Sequence, residues 1–156
     1  TMHLLRAEKG YVVIGQETDG TVTPIDINFN WMIGKNKKDF IGKRSLKRKD
    51  TAREGRKQLV GIIPLNKSQF IEEGQHILEC ENLPSKITTP VSYLGHVSSS
   101  YHSPNLNHCI SMAMIKGGNK LMGKKLFVST SKGTKNIPVE IVNPVFIDPD
   151  NKRLVS

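Results

Sequence analysis

The segments QLVGII (58–63), GQHILEC (74–80), TPVSYLGHVSSS (89–100), CISMAMIKGG (109–118), KKLFVST (124–130) and NIPVEIV (136–142) decide the fold. Each is short, rich in β-branched and other apolar residues, and bounded by Gly, Asn, Pro or Lys turn signals, the pattern of strands. Ile110, Met112 and Met114 alternate with Ser111 and Ala113, and Ile137, Val139 and Ile141 flank Glu140, so each strand is expected to bury one face and wet the other. TSKGTKN (130–136) has hairpin-loop length and composition. Six strands at this spacing predict a small antiparallel barrel or sandwich.

Upstream of Gln58 the character changes. Met2 to Glu8 reads as the last turns of a helix stopped by Gly10, and the opening at Thr1 as a cut or processed end. Tyr11 to Ile14 is a brief β-prone run, GQETDGTVTP (15–24) a loop ending at Pro24, and Ile25 to Ile33 alternates as a half-buried strand or irregular edge would. Trp31 is expected in the core there. KRSLKRKDTAREG (43–55) offers Leu46 as nearly its only apolar contact, which predicts a short surface helix. The chain is therefore divided into 1–57 and 58–156, giving an α+β class that is mostly β.

The 156 residues suit one domain, or one small domain with part of another. No apolar run is long enough to cross a bilayer, so a cytoplasmic, membrane-free protein is expected. Cys80 and Cys109 form no CxxC pair, and the five histidines make neither HxH nor HExxH, so no metal is assigned. Cys109 reads as a small core residue rather than a nucleophile served by His102 or His108. Eleven basic and three acidic residues between Lys35 and Lys57 carry a net +8 of the chain's +9. With Phe40 as the run's one aromatic, the charge fits a solvated face or a dock for an acidic partner better than a nucleic-acid site.

Arg6 and Glu8 stand together before Gly10. A guanidinium beside a carboxylate suits a ligand bearing carboxylates and amide-like ring edges, but on these residues alone a local ion pair is the preferred reading. Tyr101, in SSSYHSPNLN (98–107), stacks on a ligand ring or caps a hairpin.

In the order RAEKGY (6–11), GQETDGTVTP, NWMIGKNKKDFIGKRSL (30–46), QLVGI, EEGQHI, LGHVSSSYHSPNL, ISMAMI and VEIVNPVF (139–146), the chain resembles the C-terminal half of the folate-dependent aminomethyltransferase (glycine-cleavage T-protein) family. RAEKGY, GQETDGTVTP, SSSYHSPNLN and PVFIDPDNKRL (144–154) resemble the branch found in sarcosine oxidase alpha subunits. The resemblance implies that residues 1–57 are the trailing piece of a folate-binding domain and 58–156 a six-stranded antiparallel barrel. It implies a parent that oxidises sarcosine at a flavin on another subunit and passes the one-carbon unit to tetrahydrofolate. The products would be glycine and methylenetetrahydrofolate, with oxygen reduced to hydrogen peroxide and FAD, FMN and NAD bound mostly outside this chain. Arg6 matches the arginine of the family's R-x-E-x-G motif at the folate site. Glu8 matches its acid, contacting ligand or orienting Arg6, and Tyr101 matches a barrel loop facing the folate domain. No catalytic residue falls in the chain, and its end, DPDNKRLVS (148–156), lacks the family's terminal aromatic folate contact. The implied partners are the other subunits and folate, with self-association through apolar surface near Tyr11 to Ile14 and Trp31. The alternatives are a glycine-cleavage-type aminomethyltransferase and a basic nucleic-acid-binding module.

Overall fold

The computed structural model describes residues 1–82, 91–131 and 135–154. Thr89 and Pro90 of the third expected strand, and residues 132–134 of the expected hairpin loop, lie outside them. The other segments become β1 (Lys57–Pro64), β2 (His76–Leu78), β3 (Gly95–Ser103), β4 (His108–Lys116), β5 (Lys125–Val128) and β6 (Ile137–Val142). They close into an antiparallel barrel in the order β1-β4-β3-β2-β5-β6, which leaves no free edge.

On β6 the expected wet face is present at the exposed Glu140, but the wet face expected on β4 is a correction. Every residue of β4 from His108 to Ile115 is buried. Cys109, Ala113 and Ile115 point into the barrel with Val60, Ile62, Ile77, Val97, Val128 and Val139, and Ser111 joins them by bonding Ser100 Oγ at 2.8 Å. The small side chains are inside because a six-stranded barrel has a narrow interior. Met112 and Met114 point outward, and Ala7, Ile27 and Leu59 cover them, with Val12, Phe29 and Phe146 packed alongside. Alternation gives the two faces correctly, but it cannot reveal that the first 56 residues cover the outer one.

Helix α1 (Met2–Glu8) ends as expected, with Gly10 at φ +72°. A Cβ at Gly10 would lie 2.8 Å from the Pro144 carbonyl oxygen, so glycine is needed both for its backbone and for the close approach of the 143–147 segment. There Glu8 O accepts from Phe146 N and Ile147 N, each at 2.9 Å. Tyr11–Ile14 forms no strand, only one bridge from Ile14 to Thr18. Residues 25–33 are turns ending in a single 3-10 turn, Asn30–Met32. Trp31 is 76 % exposed rather than core; its ring meets Phe29 at 6.0 Å on an irregular surface, where period-two alternation carries no meaning. The basic stretch forms two one-turn helices, α2 (Lys43–Leu46) and α3 (Lys49–Ala52), separated by the extended Arg48. Among the described residues no helix is long and apolar enough to cross a membrane.

Candidate functional site

The outer faces of β3 and β4, α1 and the 11–23 loop enclose a buried polar cluster centred on Arg6. α1 carries Arg6 down onto the barrel. Its Nη1 donates to Glu17 Oε2 at 3.0 Å and to the Tyr11 carbonyl oxygen at 3.3 Å; its Nη2 donates to Ser99 Oγ at 2.7 Å, Tyr101 Oη at 3.2 Å and Gln16 Oε1 at 3.3 Å. Glu17 is fully buried. Val13 N donates to its Oε2 at 2.8 Å, and Ser98 Oγ and Ser99 Oγ donate to its Oε1. A charge pair taken out of water survives only when its remaining polar atoms are satisfied, and Glu17 meets that condition.

A β-bulge makes this possible. The β3–β4 register slips between Val97 and Ser99, inserting Ser98 opposite no partner. Successive strand side chains normally face opposite ways, yet the extra residue lets both Ser98 and Ser99 reach the same carboxylate. Beyond the bulge, Ser100 points inward and Tyr101 outward to Arg6. Tyr101 is thus a strand residue, not the loop residue expected, and the turn begins at Pro104. Its half-buried ring lies 5.7 Å from the Arg6 guanidinium carbon.

Among the described residues, one atom of the cluster is unsatisfied: Arg6 Nε is buried and has no hydrogen-bond partner there. A buried N–H left unpaired costs roughly 1–3 kcal/mol, more when charged.

Glu8, two residues along α1, turns away from Arg6, because i and i+2 positions do not share a helix face. The expected local ion pair is absent. Glu8 instead accepts from Ser103 Oγ at 2.6 Å and from Asn105 Nδ2 at 3.0 and 3.1 Å, holding the β3–β4 turn against α1. His108 Nδ1 bonds the Cys109 carbonyl oxygen at 2.9 Å, while the buried thiol faces Ser100 at 3.4 Å, so imidazole and thiol are not paired.

A third polar clamp lies at the foot of β1. Arg56 Nη2 donates to Asp26 Oδ2 at 2.7 Å and its Nε to both carboxylate oxygens at 3.0 Å; Thr23 N and Oγ1 donate to Oδ2 at 2.8 Å. Burial alone would raise the Asp26 carboxyl, but the bonds from Arg56 and Thr23 together hold it below its ordinary value, and the same pairing raises Arg56. Between this clamp and Arg6 opens a cleft of about 620 Å³, lined by Gln16, Glu17, Arg53, Lys57, His96 and Lys116 among others. Burial, then the charges of Lys57 and His76, lower the His96 pKa from its ordinary value and so favour the neutral imidazole.

Sequence reasoning selected Arg6 and Tyr101, which the fold brings together, but missed Glu17, Ser98 and Ser99. The available signal was one of two carboxylates in a glycine-bracketed loop, eleven residues after an arginine. Among the described residues no group of three or more His, Cys, Asp or Glu side chains is placed to hold a metal ion.

Comparison with known proteins gives consistent matches. The family model of the glycine cleavage T-protein C-terminal barrel domain matches residues 57–148. The chain is 40 % identical over 153 residues to the sarcosine oxidase subunit alpha of Corynebacterium sp. (strain U-96), and 36 % over 154 residues to that of Rhizobium meliloti (strain 1021). These matches cover 98 % and 99 % of the chain, which spans about 15 % of the length of either relative. The fold is similar to the crystal structure of glycine cleavage system aminomethyltransferase T from Bartonella henselae, with a TM-score of 0.75 and 21 % identity over 94 % of this chain and 38 % of that one.

Proposed function

The chain belongs to the glycine cleavage T-protein C-terminal barrel domain family, and from that premise we propose that it forms one wall of a tetrahydrofolate site within a longer sarcosine-oxidising polypeptide. The observation that carries this reading is the Arg6 guanidinium: its terminal nitrogens are committed to the protein, while its buried Nε, beside the half-exposed Tyr101 ring, has no partner among the described residues. A carboxylate or ring carbonyl of folate would satisfy that N–H with a charge-assisted bond, and a pterin or aminobenzoyl ring would pack on Tyr101. Similarity to two sarcosine oxidase alpha subunits supports the choice of parent reaction.

In this reading each residue of the chain has a binding or positioning task. Glu17, with Ser98 and Ser99, fixes the guanidinium plane, so no ordering cost falls on the ligand. Glu8 secures the 103–107 turn beneath Tyr101. Tetrahydrofolate supplies the amine nitrogens that accept the one-carbon unit released on converting sarcosine to glycine. No residue here is assigned a catalytic proton transfer. FAD, FMN and NAD belong to other parts of the parent complex, as do the remaining folate contacts and the subunits that carry them.

The test is calorimetric binding of a stable reduced folate to the full-length polypeptide that carries this chain. Tyr101→Leu keeps apolar packing on the outer-face cluster but removes the ring face; binding should weaken about tenfold or more, 1.4 kcal/mol, with the melting temperature little changed. Unchanged affinity in a folded Tyr101→Leu protein would remove the ligand from this wall.

A further inference from the structure

The outside of the barrel carries a pair of imidazoles that the folate reading leaves without a task. β2 and β3 run antiparallel, with His76 directly opposite His96. Their neighbours Ile77 and Val97 point into the barrel, so both imidazoles stand on its outer face. Val97 N donates to the Gln75 carbonyl oxygen at 2.9 Å, which makes 75–97 a hydrogen-bonded pair and His76–His96 the non-hydrogen-bonded pair beside it. In that class of pair the Cα atoms are only about 4.5 Å apart and the side chains come closest.

Neither ring is committed to the protein's own hydrogen bonds. The bonds His76 makes come from its backbone, which donates to Ser129 Oγ and accepts from Ser129 N, each at 2.9 Å. Among the described residues no donor or acceptor reaches the nitrogens of either imidazole. The Tyr93 ring lies 4.8 Å from the His76 ring at an interplanar angle of 32°. That contact steadies the imidazole by its face and leaves its nitrogen edge open. His96 is half-buried on the wall of the cleft that runs past Glu17. Two imidazole nitrogens at about 2.0–2.1 Å from one ion, and at right angles around it, stand about 3 Å apart. Rings carried on Cβ atoms about 4.5–5.5 Å apart span that distance.

We propose that His76 and His96 form a two-histidine site for a divalent transition-metal ion, with water completing its coordination. Imidazole donors suit copper, nickel and zinc, and of these copper(II) binds such a pair most tightly. Calcium and magnesium are excluded, because they take oxygen ligands. Among the described residues no third His, Cys, Asp or Glu joins the pair, so the ion keeps open positions and exchanges with solvent. Lys57 stands on the same outer face, and its charge is felt at His96; the ammonium opposes a bound cation and so sets a limit on affinity. The site stands whether or not folate binds at Arg6.

The experiment titrates Cu²⁺ into the full-length polypeptide that carries this chain, beside its His76→Asn, His96→Asn and Lys57→Gln variants. Calorimetry gives the affinity, and electron paramagnetic resonance counts the coordinating nitrogens. The wild type should show a two-nitrogen signal that each histidine variant reduces to one. Either histidine variant should bind that ion at least about tenfold more weakly, the smaller end of what losing even an outer-shell partner of a ligand costs. Without copper, the melting temperatures of the histidine variants should match the wild type, since His76 is exposed and His96 half-buried. Lys57→Gln should tighten binding at low salt, the gain fading as salt screens the charge. A two-nitrogen signal that survives both histidine substitutions, a wild type that binds no more tightly than they do, or a Lys57→Gln protein with unchanged affinity at low salt would each overturn the proposal.

Discussion

Removing one partner of the Arg6–Glu17 pair should be among the most damaging single changes in the molecule. In Arg6→Ala, Glu17 keeps Val13 N, Ser98 and Ser99 as donors but becomes a fully buried charge without a counter-ion. Breaking such a pair costs about 3–5 kcal/mol, which for a chain of this size lowers the melting temperature by roughly 6–20 °C. Glu17→Gln should cost less, because its carbonyl oxygen still accepts from the serines. The assay is urea denaturation of the two single variants and the double variant. Since Arg6 and Glu17 act as one unit, their effects should depart from additivity by about 1–3 kcal/mol. If each single change costs under about 1 kcal/mol and the two simply add, the pair does not hold the N-terminal segment on the barrel.

Further outcomes follow from other contacts. The Asp26 carboxyl titrates below its ordinary 3.8 in the folded protein, so the clamp to Arg56 stabilises fully above that value and is lost as pH falls through the lower folded one. Asp26→Asn should thus be less stable by about 1.5–3 kcal/mol at neutral pH, the gap to wild type closing only in strong acid, as a pH series of melting temperatures would reveal. Gly10→Ala should destabilise more than Gly123→Ala: both have positive φ, +72° and +75°, but only Gly10 has a carbonyl oxygen 2.8 Å from the new Cβ. Denaturant midpoints should rank them in that order, Gly123→Ala losing about 1 kcal/mol. Trp31→Ala, expected to be ruinous if Trp31 were core, should change stability by no more than about 0.5 kcal/mol, read from the same denaturation curves.

The barrel was legible because its signal is local. Turn residues bracket each strand and β-branched residues fill it, so six segments predicted six strands. What sequence could not supply was the environment of each face. Ser111 looks solvent-facing by polarity but bonds Ser100 inside the barrel, whereas Met112 and Met114 gain their cover from residues about a hundred positions away. The site was half legible for the same reason. Arg6 and Tyr101 carry recognisable chemistry, but their union depends on the bulge at Ser98 and on where the 15–23 loop places Glu17. Neither leaves a periodic trace. Glu8 shows the converse error: adjacency to Arg6 in sequence suggested a pair, and helix geometry sends it to Ser103.

The most direct measurement is a structure of the full-length polypeptide with a reduced folate bound. The account predicts a folate oxygen about 2.7–3.2 Å from Arg6 Nε, with a ligand ring against Tyr101 and the Arg6–Glu17 pair unchanged. A folate bound elsewhere, with Arg6 Nε satisfied by another protein group or by water, would contradict it.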